Sequence, residues 1–271
     1  MPFLDHLEEL RWRVLWSLLA VILGTIVGFV LVHYLGVLEL LVRPVRTARG
    51  DPTLKLIYLS PADPFFITLR LAIYSGIILA FPIIVYQIWA FLSPALEKRE
   101  KRAIIPALYL GMVLFCAGVA LAYFAALPVT LEFFQGFMTE SLEGNLEINQ
   151  TLGFIVKLLL AFGVVFELPI VILILSALGL VTPQFLREKR RHAVVLITVL
   201  ASFITPGDAI TLTIMMMLPL VLLYELGILL SVGIYRRRRA RELELEAEFE
   251  ASRRVDLEAR REPPRESVER E

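Results

Sequence analysis

Apolar residues along this chain fall into long runs that short charged connections interrupt, a pattern too continuous for the one-sided stripe of a surface helix. A helix needs roughly 20 apolar residues to cross about 30 Å of hydrocarbon, and while crossing it satisfies its own backbone hydrogen bonds. Six runs meet or approach that length, at Val14 to Tyr34, Phe65 to Leu92, Ala103 to Leu127, Leu152 to Leu178, Ala193 to Thr205 and Ala209 to Ser231. They predict an all-α, polytopic membrane protein with six transmembrane helices over residues 1–235. A charged tail, partly helical or disordered, is expected over residues 236–271. Pro82, Pro106, Pro169 and Pro219 lie inside the runs, where neighbouring helices can absorb a kink.

The fifth run, between Arg191 and Pro206, is about 14 residues, or about 21 Å of helix. Such a mismatch is met by local thinning of the membrane or by sinking the Pro206 to Asp208 turn below the outer surface. A re-entrant hairpin formed by the fifth and sixth runs would satisfy the same pattern. Between the first two runs, Gly36 to Pro64 is too long for a simple turn and is expected to form a small cap, with Leu54 to Leu59 weakly alternating. The helix of the third run is expected to continue through Phe133, Phe134 and Phe137, aromatics on one face for packing against that cap or the lipid interface.

Composition supports a membrane solvent: 58% of the 271 residues are hydrophobic, mean hydropathy is +0.73 and formal net charge is +0. The zero conceals segregation, since the segment after Tyr235 is rich in Arg and Glu. Lys and Arg in short connections mark the cytoplasmic side. Arg11 and Arg13 precede the first run, Lys98, Arg99, Lys101 and Arg102 follow the second, Arg187, Lys189, Arg190 and Arg191 follow the fourth, and Arg236 to Arg239 follow the sixth. Only Arg43, Arg46, Arg49 and Lys55 in the first outer loop oppose the assignment, so both termini are expected inside. The charged opening and the length of the first run predict that no leader is cleaved. Cys116, the lone cysteine, can form no intrachain disulfide and reads as a small core residue.

An ionisable group inside a span is costly and therefore a candidate for function. Glu167, in Phe166-Glu167-Leu168-Pro169, is the foremost, because Pro169 frees a backbone carbonyl and favours a hydrated kink. It reads either as a polar site facing a water-filled concavity or as a carboxylate satisfied by packing alone. Lys157 and Arg70 lie nearer span ends and can snorkel; Glu225 is ambiguous. Before the first run, Pro2 to Arg13 reads as an amphipathic helix with Phe3, Leu7, Leu10 and Val14 on one face. Asp5 and Glu8 have capping-box spacing, and Gly24 and Gly28 form a GxxxG pair. His6, His33 and His192 form no HExxH, and neither GxSxG nor a glycine-rich phosphate loop occurs, so catalysis, a metal and a bound cofactor are not expected. The arginines after Tyr235 read as a topological anchor, not as a nucleic-acid site.

Read together, several blocks resemble the TatC family, the multi-spanning subunit of the twin-arginine protein translocase. They are His6-Leu7-Glu8-Glu9-Leu10-Arg11, Ser60-Pro61-Ala62-Asp63-Pro64-Phe65-Phe66, and Tyr86-Gln87-Ile88-Trp89-Ala90-Phe91 running on to Pro94-Ala95-Leu96 and Glu100. Further on come Phe166-Glu167-Leu168-Pro169, Leu186-Arg187 with the basic loop, and Thr205-Pro206 with Asp208. The resemblance covers about Leu4 to Ser231.

The resemblance implies a concave helix arrangement in the cytoplasmic membrane of a prokaryote. It implies recognition of folded cargo proteins through signal peptides bearing paired arginines, and export driven by the proton motive force. Paired guanidiniums call for fixed carboxylates, because bidentate pairing supplies both charge and geometry. By resemblance Glu9 and Glu100 supply them, with Leu10, Arg11, Phe91 and Pro94 shaping the site and Glu167 as the polar group of the concave face. The implied partners are single-span TatA-type and TatB-type subunits along the fifth and sixth helices, near Thr205, Asp208, Thr211 and Thr213, with further copies of this chain in the complex. The sequence departs from some relatives at Leu212, where they carry glutamine. An ion- or proton-coupled secondary transporter using Glu167 and a purely structural scaffold are the competing readings; the inverted pair of broken helices common in transporters is not evident.

Overall fold

The structure is a computed structural model that describes residues 3–92, 98–136, 146–204 and 210–261. It is helical almost throughout: α1 (Phe3–Tyr34), α2 (Val37–Arg49), α3 (Asp63–Leu92), α4 (Lys98–Leu121), α5 (Leu127–Gly136), α6 (Ile148–Val165), α7 (Leu168–Ala177), α8 (Pro183–Glu188), α9 (Arg190–Ile204) and α10 (Ile210–Arg261). A π-helical turn, Ala122–Ala126, joins α4 to α5. Among the described residues no strand forms, only an isolated parallel bridge between Ile57 and Glu147.

Among the described residues five helical segments are long and apolar enough to cross a membrane: Asp5–Tyr34, Asp63–Leu92, Pro106–Phe134, Ile148–Ala177 and the stretch of α10 that begins at Met217. The run expected as a fifth crossing corresponds to α9, which has 15 residues and is about 22 Å long at 1.5 Å per residue. The side chains turned outward are those of a protein bathed in hydrocarbon: Trp12, Leu15, Ile22, Ile26, Tyr109 and Phe124 are all exposed. Cys116 is among the outward-facing residues, which corrects its reading as core. In lipid the surface is as apolar as the interior, so an apolar neighbourhood in sequence carries no information on burial.

Three local departures from expectation have plain causes. The amphipathic opening is not a separate helix, because no Gly or Pro falls between Phe3 and Leu23 to part it from the first run; Leu7, Leu10 and Val14 stay exposed, and Asp5 lies within the first turn instead of capping it. The fourth run is divided at Phe166 and Glu167, where Pro169 removes the N–H that an unbroken helix would need, and α7 begins afresh at Leu168. The first outer loop contains α2, which buries Leu41, Val42 and Val45 against the rest of the cap. Ile57 donates to the Leu146 carbonyl (3.1 Å) and accepts from Ile148 (2.9 Å), tying the two outer connections together. Beside them Asp51 accepts from the Thr53 hydroxyl (2.7 Å) and amide (2.8 Å), bonds that hold its carboxyl below the usual carboxylate range. Phe133 and Phe134 extend α5 as expected, with Phe134 against Phe154 of α6; Phe137 lies outside the described residues.

Close backbone approach sets the packing. A Cβ on Gly24 would lie 2.6 Å from the Gly76 carbonyl oxygen, and one on Gly76 would lie 2.5 Å from the Thr25 nitrogen, so α1 and α3 touch backbone to backbone. Gly118 receives Phe166 and Gly163 receives Phe115 where α4 meets α6, and Gly227 of α10 receives Ile172 of α7. The bundle thus runs from the α1–α3 pair through α4, α6 and α7 to α10, with α9 against α10.

Gly76→Val is expected to cost about 1 to 3 kcal/mol by overpacking, read as a fall in the thermal midpoint of the detergent-solubilised protein. Gly233→Ala, where a Cβ meets nothing within 4 Å, should leave the midpoint unchanged or slightly raised. Equal midpoints for Gly76→Val and wild type would remove the glycine contact from its place in the fold.

Candidate functional site

The polar residues of the N-terminal block meet the end of α3. Glu9 and Arg13 are one helical turn apart on α1, and Arg13 Nη2 donates to Glu9 Oε1 at 2.9 Å. Arg13 Nη1 reaches across to Gln87 Oε1 at 3.2 Å, and the His6 ring stacks on Phe91 with centroids 4.3 Å apart. One guanidinium therefore bridges a carboxylate on α1 and an amide on α3. Both partners of the ion pair are only partly covered, with side-chain exposures of 31% for Arg13 and 26% for Glu9, so the carboxylate is oriented yet reachable. Leu10 and Arg11 are exposed beside it, and Phe91 is half-buried.

Glu100 lies in the first turn of α4, which starts at Lys98 shortly after α3 ends at Leu92, hence at the same end of the bundle as Glu9. Its side chain lies outside the described residues, as does that of Thr211; Pro94, Thr205 and Asp208 lie outside them altogether. Thr213 is half-buried on α10. Arg13, Gln87 and His6 were not singled out as site residues from the sequence. The Glu9–Arg13 spacing was the available sign for the first; nothing local links Arg13 to Gln87, 74 residues away.

Glu167 sits at the break between α6 and α7, facing α4: a Cβ on Gly111 would come 2.8 Å from its Oε2. The absence of a side chain at Gly111 makes room for the carboxylate. Its buried Oε1 has no hydrogen-bond partner among the described residues, and neither has the Trp89 indole nitrogen. Such a group in a span is retained against its cost. Glu225 is no longer ambiguous, since it accepts from Arg190 Nη2 at 2.7 Å and joins α10 to the start of α9. Lys157 and Arg70 are exposed, as snorkelling requires. Among the described residues no group of His, Cys, Asp and Glu is arranged to hold a metal ion.

The architecture is that of a multi-pass helical membrane protein with an oriented acidic site at one end and the Glu167 carboxylate partway along a wall of the bundle. Residues 5–219 match the family model described as Sec-independent protein translocase protein (TatC). The chain is 38% identical to the TatC protein of Aquifex aeolicus over 85% of its own length and 95% of that protein's. It is 37% identical to that of Desulforapulum autotrophicum, over 84% of this chain and 83% of the relative. A crystal structure of the twin-arginine translocase receptor TatC superposes with a TM-score of 0.71 at 38% identity, covering 83% of this chain and 99% of the other. The chain belongs to the TatC family. It is a component of a protein translocase, a transport subunit and not an enzyme.

The Arg13 bridge predicts measurable coupling. A double-mutant cycle between Glu9→Ala and Arg13→Ala, read by denaturation in detergent, should give about 0.3 to 1 kcal/mol. A coupling of zero would mean that Arg13 does not orient Glu9.

Proposed function

We propose that this chain is the receptor and core subunit of a twin-arginine translocase, binding twin-arginine signal peptides of folded proteins at its cytoplasmic face for export driven by the proton motive force. The observation that carries the reading is Glu9, oriented by Arg13, which also donates to Gln87, yet still reachable at the end shared by α1, α3 and the first turn of α4. An incoming guanidinium meets there a carboxylate whose orientation is already fixed, so less conformational entropy is lost on pairing. Glu9 and Glu100 are the two acceptors, with Leu10, Arg11, Phe91 and Pro94 shaping the surface.

In this reading the chain crosses the cytoplasmic membrane of a prokaryote six times, α9 spanning a thinned bilayer and both termini inside, and residues 236–271 form a cytoplasmic tail outside the membrane domain. TatA-type and TatB-type subunits dock along α9 and α10 near Thr205, Asp208, Thr211 and Thr213, and several copies assemble. Glu167 faces the concave side, where a signal peptide or small subunit reaches it. No nucleic acid is involved. The positive connections, the short α9 and the similarity to a twin-arginine translocase receptor of known structure support this arrangement.

Binding of a labelled signal peptide to the purified protein tests the proposal. Glu9→Ala and Glu100→Ala should each weaken it at least about tenfold, as the loss of a hydrogen bond to a charged group implies. Replacing the peptide's arginine pair by lysines should do the same. Normal binding by both variants would dismiss the site. Ion flux through proteoliposomes that Glu167→Gln abolishes would instead favour the transporter reading.

A further inference from the structure

Beyond the end of the apolar part of α10 a groove of about 440 Å³ opens between α8 and α10. Arg187 on α8 and Arg236 and Arg239 on α10 line it, with Gln184, Tyr235 and Val232. Val232, Arg236 and Arg239 follow one another at helical spacing on one face of α10. No acidic residue is among the described lining residues, and none of these arginines makes an ion pair among the described residues. Arg13, Arg46 and Arg190 each hold a carboxylate, whereas Arg187, Arg236 and Arg239 are gathered around one concavity. Three guanidiniums that converge on one concavity with no ion-pair partner among the described residues repel one another, and an anion with several acceptor oxygens is what relieves that cost.

Depth decides which anion. Ser231, fully buried against Ser176 (2.7 Å), is the last buried residue of α10 among the described residues, and the groove begins within about one turn of it. Tyr235 at the rim is the residue type that settles at headgroup level. Leu218, Leu222 and Leu229 form an exposed apolar stripe on α10 that runs along the helix toward Arg236. A molecule with its phosphate among the arginines would lay hydrocarbon along that stripe, which a free phosphate has no means to use. We infer that the groove lined by Arg187, Arg236 and Arg239 binds the headgroup of an anionic phospholipid. A zwitterionic lipid is disfavoured because no carboxylate among the described lining residues receives its ammonium group. The lipid would clamp α8 to α10.

The test uses the full-length protein in an uncharged detergent, titrated with phosphatidylglycerol, phosphatidylcholine or inorganic phosphate, with retained molecules counted by native mass spectrometry. Saturable retention of phosphatidylglycerol alone is expected. Each arginine near an anionic lipid is worth roughly fivefold, so R187Q/R236Q/R239Q should weaken retention about a hundredfold. Lys189→Gln with Arg191→Gln, in the same basic connection but not lining the groove, should retain lipid like wild type. Should the triple variant fail to fold, Arg236→Gln alone carries the test with a loss of about fivefold. Unchanged retention by the groove variants, an equal loss in the Lys189 and Arg191 variant, or equal retention of inorganic phosphate would each overturn the assignment.

Discussion

A bilayer removes the force that folds soluble proteins, because lipid chains receive apolar side chains as readily as another helix does. What remains is close contact, and here it is made by glycine. Where Gly24 and Gly28 of α1 face Ala72 and Gly76 of α3, the two backbones meet with no side chain between them. Association of this kind rests on dispersion and fit, not on expulsion of water. Everything polar in the molecule is placed by it. The register that seats Gly24 against Gly76 also brings Arg13, further toward the start of α1, opposite Gln87, further toward the end of α3. The absence of a side chain at Gly111 likewise gives Glu167 its position beside α4.

Polar contacts then act as pins. The Ser176 and Ser231 hydroxyls meet at 2.7 Å between α7 and α10, and the Tyr224 hydroxyl donates to the Leu186 carbonyl at 2.8 Å, anchoring α8 beneath α10. On the opposite side of the bundle the Tyr123 hydroxyl, in the π-helical turn, donates to the Leu40 carbonyl of α2 at 2.8 Å. A π turn widens the helix locally and redirects the side chains it carries, and this one aims a tyrosine at the cap. Such bonds are individually modest in membranes, about 0.6 kcal/mol on average. Their value lies in rotation: each fixes which face of a helix is turned toward its neighbour.

Much of this was legible in the sequence because hydropathy is a property of single residues summed along a run. The long crossings, the break before Pro169 and the shortness of α9 all follow from counting and from one missing N–H. The resemblance drew attention to Glu9 and Phe91 as blocks of consecutive residues, and the structure places both where the start of α1 meets the end of α3. What escaped was pairwise. Pro44 lies inside α2 and reads locally as a breaker, so a helix there shows itself only through the burial of Leu41, Val42 and Val45 in the cap. The Arg13–Gln87 contact joins positions that no local pattern connects, and Glu225 acquired a meaning only when Arg190 was found beside it. Cys116 failed for a different reason: in hydrocarbon, inside and outside are chemically alike.

The last helix carries an implication for what happens away from the bundle. α10 is continuous over 52 residues, about 78 Å at 1.5 Å per residue, and no glycine or proline follows Gly233 before its end at Arg261. A chain that left the membrane through a flexible linker would let its tip wander. A continuous helix instead acts as a boom of fixed reach and bearing, rooted where Gly227 meets Ile172 and Pro169. A load applied at its tip would be felt as leverage at that root, against the very wall that carries Glu167.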